Sequence, residues 1–90
     1  MSDVYRAVEA AKEDVIRLKR AAKGWSDSPP TGVLLTTLRS VRQASDLIAR
    51  RHNRMSPEAT CAHLSSVVEM QSEVMMSLVT LLGDHAVGFD

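Results

Sequence analysis

Between Pro57 and Gly83 the chain carries two apolar stripes at helical spacing, more than one helix can bury against a single neighbour. One stripe runs His63, Val67, Met70, Val74, Ser77 and Leu81; the other runs Leu64, Val68, Met75, Leu78 and Leu82. Residues three and four apart share a helix face, and a surface helix needs only one apolar stripe, about 100° wide. The helix expected over residues 57–83 should therefore be central, in contact with two helices or with a second subunit. Ser56-Pro57-Glu58 marks its entry: a capping hydroxyl, a proline where no amide donor is needed, and an acid in the first turn. Gly83 is the expected stop.

Two breaks upstream, Gly24-Trp25-Ser26-Asp27-Ser28-Pro29-Pro30 and Asn53-Arg54-Met55-Ser56-Pro57, have the Gly, Pro and Ser content of loops. They predict helices over residues 3–23, 30–53 and 57–83, with a short tail at 84–90. In the first helix Val4, Val8, Ala11, Val15, Leu18 and Ala22 follow a 4-3-4-3-4 spacing, the seam of a helix packed along another. Ser2 is its expected cap and Gly24 its stop, with Trp25 folding back on it. In the second, Leu34, Leu38, Val41, Ser45 and Ile48 continue the pattern, widened by Leu35, Ala44 and Leu47; Ser28 or Thr31 is the expected cap, and Arg42 with Asp46 an expected weak pair. The expectation is all-α: a three-helix antiparallel bundle, or a helical hairpin plus a helix, in a single domain over residues 1–90. With 90 residues the core is small, and association into a helical homodimer is the expected remedy. Only Tyr5, Trp25 and Phe89 are aromatic, so Leu, Val, Ile, Ala and Met must build that core.

The charge balance is zero overall but uneven along the chain. Residues 31–55 carry five Arg against Asp46, and residues 56–90 carry five acids and no Lys or Arg. Either these segments neutralise each other as neighbours, or the basic one meets an acidic partner. The one cysteine, Cys61, excludes an intrachain disulfide and fits a reducing cytoplasm. Met1-Ser2-Asp3-Val4 lacks the features of a secretory signal, and no apolar run reaches the length of a membrane span.

Sites of chemistry are looked for without result. His52, His63 and His85 have no i,i+3 or i,i+4 partner among themselves, and Cys61 and His63, two residues apart, point to opposite sides of a helix. Glu69 and Glu73 read as a solvated face, and the four glycines are isolated, which excludes a phosphate-cradling loop. No enzyme, metal or cofactor is expected. Arg50-Arg51-His52-Asn53-Arg54 is a basic cluster able to meet phosphates, yet bases are also favoured at a helix C-terminus by its dipole. A DNA-associated regulator is thus a lesser reading, and direct nucleic-acid contact is not the expectation.

A protein partner is. Met70, Met75 and Met76 are soft, adaptable side chains, and Met76 falls on the otherwise polar line of Ser65, Glu69, Ser72 and Thr80. Met70 and Met75 also read as core fillers. The expected interface is Met70, Val74, Met75, Met76, Leu78, Leu81 and Leu82, with Arg39, Arg42, Arg50, Arg51 and Arg54 as electrostatic contacts to acids of the partner.

Pro29-Pro30-Thr31 before an Arg-bearing helix, and later Glu69-Met70 followed by Leu78-Val79-Thr80-Leu81-Leu82-Gly83, resemble the TraM quorum-sensing antiactivators of rhizobia and agrobacteria, over residues 28–83. The resemblance implies a small cytoplasmic bacterial protein, dimeric and helical, without cofactor or active site, that binds a LuxR-type transcription factor and stops it from activating promoters. It implies helix entry at Pro29, Pro30 and Thr31, and packing or dimer roles for Glu69, Met70, Leu78, Leu81 and Leu82. The alternative is a small helical chaperone or adaptor, for instance of a secretion system, that covers an amphipathic client helix.

Overall fold

The computed structural model describes residues 3–24 and 30–86, with side chains through residue 83. It contains three helices, α1 (Asp3–Gly24), α2 (Thr31–Arg51) and α3 (Pro57–Ala86), with a single 3-10 turn at His52–Arg54. The described residues include no strand, so the all-α bundle expected from the apolar spacing is the fold observed.

In α1 the six residues of the predicted stripe, Val4 to Ala22, are all buried. Two polar contacts set α2 antiparallel to it. Arg51 Nη2 at the end of α2 lies 3.1 Å from Asp3 Oδ2 at the start of α1, and midway Ser40 donates its hydroxyl to the Asp14 carboxylate. The 3-10 turn then reverses the chain, closed by the Met55 amide on the His52 carbonyl at 3.3 Å. Ser56 caps α3 as its sequence predicts: its Oγ accepts from the Ala59 amide at 3.1 Å.

The core joins all three helices: Val4, Val8, Val15 and Leu18 of α1 meet Val41 and Ile48 of α2 and Val67, Met70 and Val74 of α3. Centrality is where the structure departs from expectation. α1, not α3, is the most engaged helix, because it packs against both partners more extensively than they pack against each other. Of the two stripes on α3, the one from Val67 to Leu81 is buried and the one from Leu64 to Leu82 is not.

The phase of α2 is a second departure. Its buried line is Thr37, Val41, Ala44 and Ile48, which leaves Leu34 half-buried and Leu35 and Leu38 exposed. Thr37 is tolerated inside because its Oγ1 lies 2.8 Å from the Val33 carbonyl and 3.1 Å from the Asp14 carbonyl, so the hydroxyl is satisfied.

Helix ends give two further corrections. α3 continues through Gly83 to Ala86; Gly83 does not leave the helical region, since no described glycine has a positive φ. At α2 the N-cap position is Pro30, and no side chain caps it; the Leu34 amide reaches the Pro30 carbonyl at 3.0 Å. Gly24 ends α1 as expected. The roles given to Ser2, Trp25, Ser28 and Pro29, and the end of the tail, fall outside the described residues.

Candidate protein-interaction face

Because α1 covers one side of both partners, the opposite side of α2 and α3 is left open. The two run antiparallel, so Leu38 and Arg42 of α2 come level with Met75 and Gln71 of α3. Between them lies a groove of about 620 Å³, with Val41 and Val74 of the core also on its lining. Helical spacing extends the face along both helices: Leu35 lies one turn before Leu38, while Val79 and Leu82 follow Met75, and Val68 and Leu64 precede it. All of these apolar residues outside the core are exposed.

The expected interface residues divide accordingly. Met70, Val74 and Leu81 are buried; they belong to the core of this chain and cannot at the same time present a free surface. Leu78 is half-buried. Met75, Leu82 and Met76 are open, at 59%, 59% and 65% exposure. Met76 is the most exposed large apolar side chain among the described residues, and stands at the outer edge of α3, beyond the groove. Leu35, Leu38 and Val79 were not expected on such a face. For the two leucines the missed signal is Thr37, a polar residue inside; for Val79 it is its place one turn after Met75.

The arginines also divide. Arg51 is half-buried and tied to Asp3, and its Nε is buried without a hydrogen-bond partner, so it holds α2 to α1 and is not a free contact. Arg39, Arg42, Arg50 and Arg54 are exposed, and among the described residues none makes an ion pair within 4 Å, the expected Arg42–Asp46 pair included. On α3 the one paired acid is Glu73, whose carboxylate meets Lys19 of α1 at 3.1 Å. The basic α2 and the acidic α3 thus do not neutralise each other by direct pairs, although they are neighbours. Arg39, Arg42 and Arg50 form a basic rim on the α2 side of the face, around a shallow depression that Asp46 also lines.

Among the described residues no group of three or more His, Cys, Asp or Glu is placed to hold a metal ion, and no helix is long and apolar enough to cross a membrane. Cys61 is exposed near the start of α3. Of the positions that carry the TraM resemblance, Glu69 and Leu82 are exposed, Met70 and Leu81 buried and Leu78 half-buried. No known family, curated protein or solved structure matches this chain.

Proposed function

We propose that this chain is a small non-enzymatic regulator that acts by binding another protein through the open side of α2 and α3. One observation carries the reading: of the ten exposed large apolar side chains, only Tyr5 and Ile16 are on α1 and the other eight are on α2 and α3. Scattered apolar residues on a surface are ordinary, but a contiguous patch rimmed by polar groups marks an interaction site. The unpaired arginines beside it add charge that speeds and orients encounter with an acidic partner.

In its specific form the proposal is an antiactivator: the chain binds a LuxR-type transcription factor in the bacterial cytoplasm and keeps it from its promoters. The resemblance of residues 28–83 to the TraM antiactivators supports this form. The apolar face takes up a surface of the factor, and Arg39, Arg42 and Arg50 meet its acids.

The test is a mobility shift with a purified LuxR-type activator from the same cell and its promoter DNA. The wild-type chain should release the DNA, and Met75→Glu should not. If wild type and variant leave the activator on DNA alike, the antiactivator reading fails. Recovery of a secreted client in place of the activator would move the chain to the chaperone reading. Binding of the chain itself to DNA, lost steeply with salt, would move it to the DNA-associated one.

A further inference from the structure

The charges and the apolar face together define how a second copy fits. We propose that two copies pair through the α2–α3 face about a two-fold axis parallel to the helices, so that α2 of each copy lies along α3 of the other. This rests on the reading of that face as an interaction surface. It adds a regulation: the same face serves both uses, so pairing and target binding exclude each other, and the free target-binding form is the monomer.

Three observations lead there. First, the apolar line on α3 from Leu64 to Leu82 spans 18 residues, about 27 Å at 1.5 Å per residue. With the neighbouring strip of α2 it makes a face of the order needed for one side of a stable interface, about 800 Å². Second, α2 carries four Arg and one Asp, whereas the described side chains of α3 carry Glu58, Glu69 and Glu73 and no Lys or Arg. Only Arg51 and Glu73 of these are paired within the chain, both to α1. Third, the net charge is zero, so nothing at long range opposes association of two copies.

A face made of two antiparallel helices can meet its own copy in two ways. An axis across the helices lays α2 on α2 and α3 on α3, basic on basic and acidic on acidic. An axis along the helices lays basic on acidic twice, by symmetry. Like charges facing one another across an interface disfavour the first arrangement and unlike charges favour the second. Leu35, Leu38, Val68, Met75 and Val79 of both copies then fill the centre of a four-helix layer.

Cys61 reads the axis directly. With the axis along the helices, the two Cys61 residues stand at the same height on diagonal helices, about 14 Å apart for neighbouring helices about 10 Å apart. With the axis across them, the two lie at opposite ends of the stripe, about 35 Å apart. The experiment uses the purified full chain at about 100 µM: its mass in solution by sedimentation equilibrium, then reaction with a bismaleimide of about 13 Å reach. A mass of twice 9.9 kDa, Cys61–Cys61 linkage, and a dissociation constant raised at least about 30-fold by Met75→Glu are the expected results. A monomer at every concentration overturns the pairing, a dimer without linkage overturns the axis, and a dimer indifferent to Met75→Glu overturns the face. Target binding is read separately, by the mobility shift: a monomeric wild type that still releases the activator sinks this inference alone, and a linked dimer that never releases it sinks the proposed function.

Discussion

Thr37 of α2 and Asp14 of α1 meet where the two helices pack, the threonine hydroxyl 3.1 Å from the aspartate's backbone carbonyl. Thr37 is fully buried, and its inward position turns Leu35 and Leu38 outward. The contact therefore helps to form the open face as well as to hold the bundle. Thr37→Val keeps the shape and removes the hydroxyl. A neutral hydrogen bond contributes about 1 kcal/mol, so urea unfolding should show a loss of that size, equivalent to about 4–8 °C in Tm for a chain of this length. An unchanged midpoint would show that packing alone sets the phase of α2.

The Ser56 cap is the best-defined helix start in the chain. Its hydroxyl accepts from the Ala59 amide at 3.1 Å and its carbonyl from the Thr60 amide at 3.0 Å. Ser56→Ala removes the first of these and should lower stability by about 1 kcal/mol. Amides 57–60 should then exchange faster with solvent than the middle of α3. Equal exchange in both proteins would mean that Pro57 alone starts the helix.

How much of this was legible in the sequence varies with the helix. α1 was fully readable, because its six apolar positions fall on one line and no competing line exists. On α3 both stripes were visible, but their spacing is the same, and which of them turns inward depends on where α1 lies. That is why Met70, Val74 and Leu81 read as interface together with Met75 and Leu82. On α2 the reading failed at Thr37: a threonine satisfied by the Val33 carbonyl of its own helix is as easily buried as a valine, and hydropathy does not show this. The mismatch of charge between α2 and α3 was visible as composition. That they are neighbours and still form no direct pair was not.

Gly83 illustrates the opposite error, a punctuation residue that does not punctuate. It lies inside α3, and a Cβ added there meets nothing within 4 Å. Glycine costs a helix interior about 0.5–1 kcal/mol relative to alanine. Gly83→Ala should therefore raise stability by about that amount, read as a higher urea midpoint with an unchanged slope. A loss would indicate that the chain needs a helix end at this position.

Two methionines five residues apart separate folding from binding. Met70 is at 4% exposure in the core and Met75 at 59% on the open face. Met70→Ala removes buried atoms and leaves a cavity, with a cost of about 2–5 kcal/mol. A core this small has little stability in reserve, so the variant should show reduced helicity and a broad or early melt. Met75→Glu alters an exposed position, where substitutions usually change stability by less than about 0.5 kcal/mol. Its circular dichroism and melt in dilute solution should match the wild type, while association with a partner, of either kind, is lost. The contrast is diagnostic because both changes act on the same helix. Were Met75→Glu to unfold the protein as Met70→Ala does, the Leu64–Leu82 stripe would be part of the core, and the case for an interaction face on α2 and α3 would fall with it.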